Sequence, residues 1–107
     1  MEGAGLMSDA GVSRPRDGGQ GLARRFLRFA VGIIGIVNRL PKTLVGRHVG
    51  GHLLRAGTSA GANYEEACCA ESRADFVHRM GVVLKELKET RYWLHATRGP
   101  GFCPLAQ

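Results

Sequence analysis

The sequence has no long run of apolar residues. Its longest apolar stretch, residues 29–37, is far shorter than the roughly 20 residues that a membrane-spanning helix needs. Residues 1–21 also lack the apolar run of about seven residues that marks a secretory signal peptide. We therefore expect a cytoplasmic protein that has no membrane partner.

Cysteine and aromatic residues are both scarce. The three cysteines include the neighbours Cys68 and Cys69, and an odd number without an export signal fits a reducing compartment and no disulfide framework. Because C-x-x-C spacing is absent, we interpret Cys68 and Cys69 as small helix-packing residues rather than nucleophiles. The side chains of Tyr64, Tyr92 and Trp93 are too few for base stacking to be more than a minor contribution to nucleic-acid binding.

Acidic residues are the scarcer of the two charge types. The chain carries 15 Lys or Arg against nine Asp or Glu, a formal net charge of +6. Within residues 22–107 the balance is 13 Lys or Arg against six acids, or +7. A surface this basic suits a nucleic acid, an anionic lipid or an acidic protein. The composition leaves open an ordinary solvated basic surface that has no polyanionic partner.

The distribution of glycine and of large apolar residues divides the chain. Residues 1–21 contain six Gly and a Pro and almost no large apolar side chains. Such a segment cannot offset the entropy lost on ordering, so we predict a disordered Gly-rich tail there. Residues 22–98 form the predicted helical bundle domain, and residues 99–107, with two Pro, form a predicted irregular tail.

Three stripes of apolar residues predict three amphipathic helices, at about residues 22–40, 43–69 and 72–97. In each stripe the steps alternate between four and three residues. The first stripe consists of Phe26, Ala30, Ile33, Val37 and Leu40. The second consists of Val49, Leu53, Ala56, Ala60, Asn63 and Ala67, and the third of Phe76, Met80, Val83, Leu87, Thr90 and Leu94.

The second predicted helix has a face of small residues. Gly57 and Gly61 are four residues apart, with Ala56 and Ala60 beside them, so this face allows another backbone to come close. Glycine weakens a helix by roughly 1 kcal/mol relative to alanine, and further Gly residues lie in all three predicted helices. These helices therefore need tight packing against neighbours, within the chain or between chains.

Several motifs between residues 26 and 95 resemble one known family. They are LPKT (40–43), GRH (46–48), LLRAGTS (53–59), GANYEEA (61–67), AESRADF (70–76) and KETRYWL (88–94). Through these motifs the chain resembles the four-helix-bundle family. Its members are also called intervening-sequence proteins, because some are encoded within insertions of bacterial large-subunit ribosomal RNA genes.

The resemblance implies an all-α fold, an antiparallel up-and-down helical bundle that assembles into a homo-oligomeric ring, commonly a pentamer. Family members usually continue into a fourth helix after the Trp-Leu of the third. This sequence continues with TRGPGFCPLAQ instead, so we expect three long helices with the fourth missing. That departure fits a truncated, non-functional family member as well as a working variant.

The resemblance also implies kinship with the accessory proteins of diversity-generating retroelements. Those proteins are basic barrels thought to bind nucleic acid and a reverse transcriptase. The expected partners are therefore further copies of this chain, RNA or DNA, and a reverse transcriptase or other nucleic-acid enzyme. We expect no enzymatic activity, no catalytic residues, no cofactor and no metal.

Two sets of candidate functional residues follow. The nucleic-acid-binding candidates are basic residues of the three helices and of the first connection: Arg24, Arg25, Arg28, Arg39, Lys42, Arg47, Arg73, Arg79, Lys85 and Lys88. The helix-packing or interface candidates are Arg55, Gly57, Ser59, Gly61, Asn63, Tyr64, Glu65, Glu66, Arg91 and Trp93. In this second set, Glu65 or Glu66 is expected to reach a basic residue of the third helix, such as Arg91.

His48 and His52 are four residues apart on one predicted helix face, a separation that can hold zinc. The motif HVGGH lacks the Glu that follows the first His of a zincin, and no third ligand is evident, so surface or interface histidines are the preferred interpretation.

Three functional hypotheses follow from these observations. The leading hypothesis is a non-enzymatic oligomer that binds RNA or DNA non-specifically through basic patches and assists a larger nucleic-acid enzyme. A protein scaffold without a nucleic-acid role competes with it, and a metal enzyme using the two histidines is the weakest.

Overall fold

The computed structural model describes residues 20–102, which form three helices and contain no strand. We name the helices α1 (Gln20–Arg39), α2 (Leu44–Cys68) and α3 (Arg73–Ala96). The predicted all-α fold of three helices packed against one another is confirmed. Most of the tail predicted for residues 1–21 lies outside the described residues, and so do residues 103–107 of the second predicted tail.

Capping side chains define the starts of α2 and α3. The hydroxyl of Thr43 accepts a hydrogen bond from the backbone N–H of Gly46 at 3.1 Å. The hydroxyl of Ser72 accepts one from the backbone N–H of Asp75 at 3.0 Å. Each cap satisfies an otherwise unpaired amide and stabilises its helix by about 1 kcal/mol. The connections between helices are short, residues 40–43 and 69–72, so neighbouring helices run antiparallel.

α2 is the central helix, because it packs against both α1 and α3, which pack much less closely on each other. Leu53, Ala56 and Ala60, all on α2, are fully buried. Further along the bundle, Ala60 and Tyr64 form a core with Val83 of α3. Half-buried apolar side chains from both outer helices pack against this core: Leu22, Ala23 and Phe26 from α1, and Met80 and Leu87 from α3.

The small-residue face of α2 lies against α1. A Cβ atom added at Gly57 would be 2.8 Å from Cγ1 and Cγ2 of Ile33, and one added at Gly61 would be 3.0 Å from Cβ of Phe26. Real Cβ atoms rarely approach other atoms so closely, so these two glycines set the distance between the helices. By contrast, a Cβ atom at Gly51 or Gly81 would have no neighbour within 4 Å.

One face of α1 carries exposed apolar side chains. Leu27, Val31 and Ile34 follow one another at helical spacing, and Leu27 and Val31 are 64 % and 60 % exposed. The adjacent face of α1, with Phe26 and Ile33, packs on α2. The helices of residues 20–102 are too polar or too short to cross a membrane. We call Leu27, Val31 and Ile34 the apolar face of α1, and this face lies on the surface of the three-helix bundle.

Candidate nucleic-acid interface

Antiparallel packing of the three helices places the charged residues of the described part, residues 20–102, in two halves of the bundle that differ in net charge. Ile33 lies beside Gly57, and Arg55 is bonded to Glu86, so a cut through the bundle at this level divides all three helices. Residues 33–56 and 84–102 lie on one side of the cut, and we call this half the basic end. Residues 20–32 and 57–83 form the opposite end.

The basic end carries nearly all of the net positive charge. Its charged residues are eight Lys or Arg and two Glu, or +6, whereas the opposite end has five Arg and four acids, or +1. The eight cations are Arg39, Lys42, Arg47, Arg55, Lys85, Lys88, Arg91 and Arg98. The field of a +6 half-molecule favours approach of a polyanion to that end.

The two acids of the basic end are both engaged by Arg55. Its Nη1 donates to Oε1 of Glu86 at 3.2 Å, and its Nη2 donates to Oε1 of Glu89. The Glu86 side chain is only 9 % exposed, so this bridge between α2 and α3 is partly shielded from water. The Arg55 guanidinium therefore links α2 to α3 by its bonds to Glu86 and Glu89.

The bridge shifts the pKa values of Arg55 and Glu89. The hydrogen bond from Arg55 is the main reason why the pKa of the Glu89 carboxyl lies below its ordinary value. The hydrogen bond to Glu89 and the nearby charge of Glu86 raise the pKa of the Arg55 guanidinium. Both shifts favour the charged pair in the folded state.

The remaining cations of the basic end have no carboxylate partner among residues 20–102. These seven exposed residues are Arg39, Lys42, Arg47, Lys85, Lys88, Arg91 and Arg98. Five of them were predicted as nucleic-acid contacts. Arg91 was predicted as an interface residue instead, and Arg98 was in neither set, because the sequence alone does not show that the end of α3 lies beside the start of α2.

The other five predicted nucleic-acid contacts lie at the opposite end, among acids. Arg79 Nη1 donates to Oε1 of Glu66 at 3.0 Å, and Arg79 Nε donates to Oδ1 of Asp75 at 3.2 Å. Arg24, Arg25, Arg28 and Arg73 lie in the same half of the bundle. The structure therefore separates the predicted basic set into two groups that lie at different ends.

The same bonding pattern shows where the predicted interface residues lie. Glu66 does reach a basic residue of α3, but that residue is Arg79 and not Arg91, which is at the basic end. The Asn63 amide donates to the backbone oxygen of Ser59, a contact within α2. The Tyr64 ring lies 5.3 Å from that of Phe26 and is buried, whereas Glu65 is exposed.

An aromatic cluster joins α2 to α3 at the basic end. The imidazole of His52 stacks on the indole of Trp93, with ring centroids 4.7 Å apart, and His48 meets the same indole edge-on at 5.9 Å. The indole N–H donates to Glu89 at 3.4 Å. No group of three or more His, Cys, Asp or Glu within residues 20–102 is arranged to hold a metal ion. The rings of His48 and His52 pack against Trp93, a contact that sequence spacing alone did not reveal.

Next to that cluster, α3 presents a mixed aromatic and cationic surface. Lys88, Arg91, Tyr92 and His95 line one shallow depression of about 340 Å³. Tyr92 is 65 % exposed, and its ring rests edge-on against Trp93, with centroids 5.0 Å apart. We name this surface the α3 patch. It combines phosphate-binding side chains with one accessible aromatic ring.

These features define a class: a small all-α bundle that is strongly basic at one end. The model of the 23S rRNA-intervening sequence protein family matches residues 22–105, and the chain belongs to this family. The predicted family is thus confirmed. Comparisons with curated proteins and with solved structures found no match.

Proposed function

We propose that this chain is a non-enzymatic, cytoplasmic, oligomeric protein that binds RNA or DNA without sequence preference and assists a larger nucleic-acid enzyme. The observation that supports the proposal most strongly is the net charge of +6 at the basic end of the bundle. Seven exposed cations of that half are available to contact phosphates, because the two carboxylates that the half contains within residues 20–102 are bonded to Arg55. Contacts to phosphate supply affinity without reading sequence.

Assembly into an oligomer would increase the affinity for a polyanion, because each copy contributes one basic end. The apolar face of α1 supports contact with a second copy, since Leu27, Val31 and Ile34 are exposed at helical spacing on one side of the helix. Several copies hold several basic ends within reach of one polymer. Linked contacts of this kind strengthen binding by mass action without any new type of contact.

The direct test is retention of the purified, nuclease-treated protein on immobilised RNA and DNA at increasing salt. We expect retention of both polymers at low ionic strength and release as the salt concentration rises, because bound phosphates release their counterions. Absence of retention at low ionic strength would rule the proposal out.

A protein scaffold is the second candidate, and the apolar face of α1 is the observation that favours it. Exposed apolar area of this kind marks protein contact surfaces, and an acidic protein would suit the basic end as well. Co-purification of a defined protein partner that survives nuclease treatment, together with no binding to RNA or DNA, would favour the scaffold over the nucleic-acid binder.

A further inference from the structure

The α3 patch has one property that phosphate binding alone does not explain. Tyr92 is 65 % exposed, whereas Tyr64 is buried and Trp93 is only partly accessible. A large aromatic ring on a helix surface is an apolar area that water does not favour. Its position between cations identifies a surface to which a flat, anionic ligand would fit.

The Tyr92 ring is held in place from one side. Trp93 contacts it edge-on, at an angle of 82° between the ring planes, and Trp93 is itself stacked against His52 of α2. The indole N–H is also bonded to Glu89, which Arg55 holds. This chain of contacts restricts the orientation of the Tyr92 ring, so less freedom is lost when a ligand stacks on it.

Two cations, Lys88 and Arg91, lie beside the same ring. Lys88, Arg91 and His95 line the depression with Tyr92, and Lys88 and Arg91 have no carboxylate partner among residues 20–102. A nucleotide whose base stacks on the Tyr92 ring would thus have its phosphates beside positive side chains. Alternating bases and phosphates are characteristic of a nucleic-acid strand.

We infer that the α3 patch selects single-stranded over double-stranded nucleic acid, with Tyr92 stacking on an unpaired base and Lys88 and Arg91 contacting the flanking phosphates. This inference rests on the proposed function. In a duplex each base is already stacked and paired, so its flat face cannot reach the ring. Only an unpaired strand offers both the base face and the phosphates, and stacking on any base is tolerant of sequence. The stacking contribution is therefore larger than the sequence led us to expect.

The test compares binding of labelled oligo(dT) with binding of the oligo(dA)·oligo(dT) duplex of equal length, at equal salt. We expect the wild-type chain to bind the single strand more tightly. Tyr92→Leu should weaken single-strand binding about fivefold or more, the loss expected for one stacked base, and leave duplex binding unchanged. Tyr92→Phe keeps a ring of similar shape and should bind like the wild type.

The outcomes separate this inference from the proposed function. Equal affinity for both polymers, or unchanged single-strand binding by Tyr92→Leu, would overturn the inference and leave the proposed function standing. No binding of either polymer at low salt would overturn both. A change in the number of subunits in Tyr92→Leu would show that the ring contacts a second copy instead, and that result would also overturn the inference. Because Tyr92 is exposed, the variant should keep the helical circular dichroism of the wild type.

Discussion

Arg55 of α2 lies 3.2 Å from the carboxylate of Glu86 on α3 and links the two helices at the boundary between the basic end and the opposite end. Glu86 is nearly buried, and its neighbour Glu89 receives the second arm of the same guanidinium. A buried carboxylate requires a partner, because its desolvation is otherwise unfavourable. The bridge thus fixes how α3 aligns along α2, and the alignment brings the cations of α3 beside those of α2.

Removal of Arg55 should therefore destabilise the fold much more than removal of an exposed cation. We expect Arg55→Met to lower the thermal unfolding midpoint, since Glu86 would lose its ionic partner. The matched control is Arg47→Met, which removes an exposed Arg of the same helix that has no carboxylate partner among residues 20–102. Equal midpoints for the two variants would contradict the structural role of Arg55.

The same bridge predicts how stability depends on pH. The folded-state pKa of Glu89 is lowered by its hydrogen bond from Arg55, so the unfolded chain binds this proton more strongly. The stabilisation is complete above the ordinary Glu pKa of about 4.3 and is lost as the pH falls through the lower folded-state pKa. We expect the urea midpoint to decline below about pH 4, and Glu89→Gln to reduce that decline. An identical decline in Glu89→Gln would be evidence against the assignment.

Two glycines in different surroundings should respond in opposite ways to alanine. At Gly57 the new Cβ would meet Ile33 at 2.8 Å. Overpacking costs about 1–3 kcal/mol and the helix-propensity gain returns about 1 kcal/mol, so we expect Gly57→Ala to lower the free energy of unfolding by up to about 2 kcal/mol. At Gly81 the space is open, and Gly81→Ala should raise the free energy of unfolding by roughly 1 kcal/mol. Chemical denaturation of both variants measures these changes. The close α1–α2 contact would be contradicted if Gly57→Ala were as stable as Gly81→Ala.

Local sequence patterns predicted the helices because each pattern is a property of one segment. The four-and-three spacing of Phe26, Ala30 and Ile33 requires only a helix with one buried face. The pairing of Gly57 with Ile33, and of Arg55 with Glu86, depends on how two distant segments align. No pattern within either segment contains that information.

The candidate site was less predictable for the same reason. Arg39, Lys42, Arg47, Lys85 and Lys88 were identified from charge alone, but so were Arg24 and Arg28, which lie at the other end of the bundle. Tyr92 was counted only as one of few aromatics, since exposure of a ring depends on its neighbours in the fold. The motif KETRYWL supported the family but did not indicate which of its residues face solvent.

The apolar face of α1 predicts which surface joins the copies in the proposed oligomer. We expect Leu27→Gln combined with Val31→Gln to convert the oligomer to smaller species, because it removes exposed apolar area from the contact. The matched control is Leu44→Gln combined with Val45→Gln, which removes two exposed apolar side chains at the start of α2. Light scattering gives the number of subunits in each case. Dissociation by the α2 pair and not by the α1 pair would move the interface away from α1.

We expect the basic end, and not the total charge of the chain, to determine the affinity for nucleic acid. The most direct measurement is the affinity for a single-stranded RNA across a salt series, for two variants with the same change in net charge. Lys88→Glu with Arg91→Glu reverses two cations of the basic end, and Arg24→Glu with Arg28→Glu reverses two of the opposite end. We expect the first pair to weaken binding at low salt, because two phosphate contacts are lost. The negative slope of log affinity against log salt should become less steep by about 1.4 or more. The second pair should stay close to the wild type, and equal losses from both pairs would contradict the claim.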